Sequence, residues 1–148
     1  MNKQVFIAEE NQCLSAVVEG NTDLLKQIPV ERRHLHIKLC CAAALYNQFE
    51  TLKFLRAEGF PWGLNACEAA AQYGHWDILE WALENGCVWN PIIAIMAAVD
   101  GQLEIIQWIC NNGYSWNHKK AREKAVCYRH NHIVDWIDVW VSTNVKNI

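Results

Sequence analysis

The sequence predicts an all-α fold, a stack of short helix pairs. Three observations carry that prediction. The motif Gly59-Phe60-Pro61-Trp62 returns as Gly86-Cys87-Val88-Trp89 and as Gly113-Tyr114-Ser115-Trp116, 27 residues apart each time. An apolar block precedes each motif: Leu52, Phe54 and Leu55, then Ile78, Leu79, Trp81 and Leu83, then Ile105, Ile106, Trp108 and Ile109. A small-residue pair precedes each block, at Ala43-Ala44, Ala70-Ala71 and Ala97-Ala98. Self-similarity at a fixed period marks a repeat architecture. No segment alternates apolar and polar residues for long enough to read as a strand.

The register extends backward to Ala16-Val17 with Leu24, Leu25 and Ile28. After a step of 28 residues it extends forward to Ala125-Val126 with Ile133, Val134, Trp136 and Ile137. The 148 residues thus form one domain of about five repeats, over 12–37, 38–64, 65–91, 92–118 and 119–141.

Each repeat reads as two helices. The first ends at Gly20, Asn47, Gly74 or Gly101, residue types that tolerate the left-handed turn after a helix. Arg129 breaks this pattern in the last repeat. The second helix opens with an acid, Asp23, Glu50, Asp77 or Glu104, which complements the positive helix start; His132 replaces it in the last repeat. Gly59, Gly86 and Gly113 then cap the second helix. Neither helix can bury its apolar face alone, so neighbouring repeats supply the core. The alanines let neighbouring first helices approach closely. Trp62, Trp89 and Trp116 follow the cap, where a ring able to bury about 150–250 Å² can fill the gap to the next repeat. On that reading Trp89→Ala costs about 3–5 kcal/mol.

A net charge of −3 argues against a non-specific nucleic-acid binder. The one basic run, Arg32-Arg33-His34-Leu35-His36-Ile37-Lys38, reads as a solvated junction between repeats. No apolar run approaches the ~20 residues of a membrane span. Residues 1–10 lack the apolar core of a signal peptide. The expected partners therefore include neither nucleic acid nor membrane. Seven cysteines, an odd number, fit a reducing, intracellular and cytoplasmic setting in which none of them pairs.

The run from Ala70-Ala71-Gln72-Tyr73-Gly74-His75 to Trp76-Asp77-Ile78-Leu79-Glu80, followed by Asn85-Gly86 and Asn90, resembles the ankyrin-repeat consensus. The family's unit has about 33 residues; here about six are missing after Asn90, where the family carries its projecting β-hairpin. Its helix-opening Thr-Pro-Leu-His is replaced by Asn65-Ala66-Cys67-Glu68. The shortened unit is similar to ankyrin-like repeats of large DNA viruses of amoebae and of some protists. The resemblance covers roughly residues 12–140. It implies an ankyrin-like solenoid with truncated or absent β-hairpins. It also implies a protein–protein interaction scaffold, of the kind a viral or parasite factor uses on host proteins in the host cytoplasm.

In such arrays the first helices line a concave face, and the two residues after the small pair look into it. Here these are Val18-Glu19, Leu45-Tyr46, Gln72-Tyr73, Val99-Asp100 and Cys127-Tyr128. The expected binding column is Glu19, Tyr46, Tyr73, Asp100 and Tyr128, since tyrosine offers large rigid area with a polar tip. The competing reading is that each tyrosine covers the end of its own helix. A rival function is a structural protein that associates with itself through the C-terminal Trp136, Ile137, Val139, Trp140 and Val141.

No catalytic residue, cofactor or metal is expected, and no enzyme activity. Cys13, Cys40 and Cys67 share one repeat position and read as small buried core residues. Equivalent positions on stacked helices lie about 8–10 Å apart, whereas a disulfide needs Cα atoms within about 7 Å. Cys127, His130 and His132, with His118 upstream, are the strongest metal candidates, but their spacing does not match a structural zinc site. The resemblance gives His75 a hydrogen-bonding role in its turn. Phosphate loops, nucleophile elbows and His-Glu-x-x-His are absent from the sequence.

Overall fold

The computed structural model describes residues 3–63 and 65–144. Their regular structure is entirely helical, with no strand among the described residues. Five first helices, α1 (Lys3–Val18), α3 (Leu39–Leu45), α5 (Ala66–Gln72), α7 (Ile92–Asp100) and α9 (His118–Cys127), alternate with five second helices. These are α2 (Thr22–Lys26), α4 (Phe49–Ala57), α6 (Trp76–Glu84), α8 (Leu103–Asn111) and α10 (Asn131–Asn144). A 3-10 helix, Val30–Leu35, lies between α2 and α3. The chain divides into two compact units at Val88 and Trp89. In the first unit α1 packs on α3 and α3 on α5; in the second α7 packs on α9. No helix of the described residues is long and apolar enough to cross a membrane.

The turn inside every repeat is the same. Gly20, Asn47, Gly74, Gly101 and Arg129 all have φ between 57° and 76°. The next amide closes each turn by donating to the first residue of the small pair. Asn21 N–H reaches Ala16 O, Gln48 Ala43 O, His75 Ala70 O, Gln102 Ala97 O and His130 Ala125 O, each at 2.8 Å. This is the closure expected where a left-handed residue ends a helix. Arg129 therefore keeps the backbone geometry that its residue type was expected to break, at a local cost of about 1–2 kcal/mol.

Side chains then tie repeat to repeat. Gln48 Nε2 donates to Val18 O at 2.6 Å, His75 Nε2 to Leu45 O at 3.1 Å and His130 Nε2 to Val99 O at 2.9 Å. The residue entering the second helix thus reaches the last turn of the preceding first helix. The turn histidine has a hydrogen-bonding role, and its bond runs between repeats. The expected acids, Asp23, Glu50, Asp77 and Glu104, all stand in the first turn of a second helix.

Both alanines of the three central pairs are buried, as are Leu52, Leu55, Ile78, Leu79, Ile105, Ile106 and Ile109 of the second helices. Val126 of the last pair is exposed. The tryptophans behave differently from the expectation. Trp62, Trp89 and Trp116 are half-buried and lie against the following repeat without entering the core. Trp62 Nε1 donates to Asn85 O at 3.1 Å and its ring meets Trp81; Trp116 leans on Trp140. Trp89 stacks on Tyr114, with centroids 4.5 Å apart, and its Nε1 donates to Ser115 O at 2.9 Å. Burying most of a tryptophan's area is worth roughly 3 kcal/mol, and the hydrogen bond adds about 1 kcal/mol. Trp89→Ala is therefore expected to cost about 3–4 kcal/mol, in the lower part of the range for a core ring. Urea denaturation checks it; a loss under about 1 kcal/mol would mean the ring packs on nothing.

Two further expectations need correction. The basic run is only partly a solvated junction: His34, Leu35, Ile37 and Lys38 are exposed, but its charges are paired. Arg32 pairs with Glu9, Arg33 with Glu58 at 2.9 Å, and Lys38 with Glu10 at 3.1 Å. His36 is fully buried, and burial pushes its pKa down. The C-terminal residues do not form one exposed apolar patch either. Ile137 is in the core, Trp140 packs on Trp116, His118 and Trp136, and Val139 remains exposed.

Candidate binding surface

The five residues of the expected column occupy equivalent places. Tyr46, Tyr73 and Tyr128 are the C-cap residues of α3, α5 and α9. Asp100 ends α7, and Glu19 directly follows α1. In the first unit Glu19, Tyr46 and Tyr73 stand at the ends of helices packed in series; in the second, Asp100 and Tyr128 do the same on α7 and α9. The tyrosines are 53, 57 and 56 % exposed. Tyr73 also stacks on His75, whose bond to Leu45 O holds that ring in place.

An open groove of about 800 Å³ lies over α1 and α3 in the first unit. Its walls include Leu14, Val18, Ile37, Leu45 and Tyr46, with Glu19 at the rim. Val18 and Leu45 belong to the residue pairs expected from the sequence on the concave face. Leu14 and Ile37 were missed. Leu14 could have been found, because it shares a 27-residue column with Cys41, another lining residue.

The cysteines depart from the expectation that none pairs. Cys67 and Cys87 form a disulfide with Cα atoms 6.6 Å apart. The column argument compared equivalent positions on successive first helices, where Cys13 and Cys40 are indeed unpaired and buried. The bond forms within one repeat instead. Helices α5 and α6 run back along each other, so the start of α5 lies beside the residue that leaves α6. The pair removes the cysteine argument for a reducing compartment. Thiol titration of the denatured, unreduced chain should find five free thiols of the seven, the others returning on reduction. Seven free thiols would overturn the pair. Closing that loop is worth about 3 kcal/mol.

Burial raises the pKa of the buried Cys40 thiol to about 12 and that of the half-buried Cys110 thiol to about 11. Neither holds an appreciable thiolate fraction at neutral pH, which the chemistry of a nucleophilic cysteine requires. His130 and His132 direct Nε2 at Val99 O and Gly101 O. No group of three metal-ligating side chains occurs among the described residues. Comparison with protein-family models, with curated proteins and with solved structures finds no match to this chain.

Proposed function

We propose that this chain is a protein–protein interaction scaffold of ankyrin-like design that binds through the ends of its first helices. Glu19, Tyr46 and Tyr73 form the contact surface of the first unit, and Asp100 and Tyr128 that of the second. One observation carries the reading: three of the four tyrosines share a single repeat position and all three are more than half exposed. Rigid aromatic area with a polar tip is what binding hot spots use, and each of these rings leaves much of that area open, although Tyr73 also stacks on His75.

The test begins with a partner captured from lysate on the wild-type chain. Tyr46→Ala and Tyr73→Ala are each expected to weaken its binding by about 1–2 kcal/mol. Both should leave the urea midpoint almost unchanged, because the rings are mostly solvated. Raised salt should slow association more than it speeds release, through Glu19 and Asp100. Unchanged affinity in both folded variants would overturn the reading. Light scattering on the same preparation would instead favour self-assembly if the mass rose with concentration.

A further inference from the structure

The face that lines the groove repeats along three first helices, and its chemistry changes at the third. On α1 it presents Leu14 and Val18; on α3, Cys41 and Leu45. The corresponding residues of α5 are Glu68 and Gln72. The apolar floor therefore covers two helices and stops at a polar edge. Glu68 is near enough to Cys41 to add to the effect of burial in raising that thiol's pKa.

The charges of the groove are unequal. Lys38 is already paired with Glu10 at 3.1 Å. Glu19 has no cation at ion-pair distance among the described residues. It also stands just past the C-terminus of α1, the negative end of a 16-residue helix. The groove is thus mainly apolar, with Asn11, Ser15 and Asn65 also in its lining, and negative at the Glu19 end.

Its length and openness select the occupant. Five residues between Asn11 and Glu19, on the last turns of α1 and just past its end, line it, a span of about 12 Å or two helical turns. Val18 and Ile37 are 40 and 45 % exposed. A drug-sized molecule would leave much of itself in water there, whereas small-molecule sites bury about 70–90 % of their ligand. The described residues offer no strand edge for an extended peptide to pair with. A third helix laid between two packed helices buries the whole floor. Among the described residues the exposed apolar side chains outside the groove, such as Val88, Val126 and Val139, stand singly on different elements.

We propose that this groove binds an amphipathic peptide helix of about two turns, with apolar residues at i, i+3, i+4 and i+7 and a lysine or arginine at the end that meets Glu19. The proposal rests on the scaffold reading above and names its partner's chemistry.

A display library of peptides of about 14 residues, long enough to be helical, is selected against the full chain. The winners are expected to carry that apolar spacing and a basic end residue. Affinity of the synthesised winner should fall about tenfold or more in Val18→Asp and in Ile37→Asp. In Glu19→Lys it should fall about fivefold, and less at high salt. Both aspartate variants replace exposed side chains, and their urea midpoints show whether each is folded. Winners that are acidic, or indifferent to all three substitutions, overturn the proposal. Winners that lose affinity in Tyr73→Ala but not in the groove variants overturn the groove while keeping the scaffold reading. Failure to enrich any peptide, with an apolar dye binding wild type but not Val18→Asp, makes this a small-molecule site and overturns the proposal too.

Discussion

Phe60→Ala is expected to destabilise the chain by about 3–5 kcal/mol, the range for deleting a fully buried aromatic ring. Phe60 heads the set of largest side chains with no solvent contact. It follows the cap of α4, and its amide donates to Leu55 O at 2.9 Å, so the backbone aims the ring inward. The Arg33 guanidinium lies 5.4 Å from the ring centroid, and His36 meets its edge at 6.5 Å. Arg33 also reaches Glu58, through the carboxylate at 2.9 Å and the backbone carbonyl at 2.6 Å. The ring thus sits where the 3-10 helix docks on the end of α4. Removing it leaves a cavity beside a buried imidazole and strips the cation–π partner from Arg33, worth about 0.5–2 kcal/mol. The equivalent residue of the fourth repeat, Tyr114, is half-buried, so Tyr114→Ala should cost clearly less. Urea denaturation of both variants gives the comparison. A Phe60→Ala loss under about 1.5 kcal/mol, or one no larger than that of Tyr114→Ala, would mean this joint is not a core.

The period was legible because turn chemistry is local. A left-handed residue one step past a helix strongly prefers glycine or asparagine, so Gly20, Asn47, Gly74 and Gly101 mark the turns in the sequence itself. The close approach of first helices likewise left its mark as alanine pairs. Features that depend on distant partners were not legible. Arg32 and Arg33 find their acids 23 and 25 residues away, at Glu9 and Glu58, so a local reading sees only a charged run. The Cys67–Cys87 bond spans 20 residues and depends on how α5 returns past α6. For the tryptophans position was legible and direction was not: each follows a cap, but the following repeat decides that the ring lies along the surface. The proposed binding column shows the same division. Its period placed Tyr46 and Tyr73 at one register, while the depth of the groove beside Tyr46 depends on Ile37, which follows the unforeseen 3-10 helix.

Gly63→Ala is the second large effect, expected at about 2–5 kcal/mol, from a left-handed backbone strain of about 1–3 kcal/mol and an overpacking term of similar size. Gly63 has φ +68°, and a Cβ placed on it would lie 1.8 Å from Ile37 O and 2.9 Å from Ile37 C. That obstacle is backbone, so no rotamer change relieves it. The carbonyl belongs to the short link between the 3-10 helix and α3, whose other neighbours are the buried His36 and Leu39. Moving the link would disturb both. Gly59 supplies the control from the same segment. It has φ +81°, but a Cβ there would meet nothing within 4 Å. Gly59→Ala therefore carries the conformational strain alone, about 1–2 kcal/mol, and the difference between the two variants isolates the steric term. Because Ile37 also walls the groove, a shifted link should weaken the selected peptide in Gly63→Ala and leave it unchanged in Gly59→Ala. Equal destabilisation by the two substitutions in urea would mean that the Ile37 carbonyl yields freely and that the close approach contributes nothing to the fold.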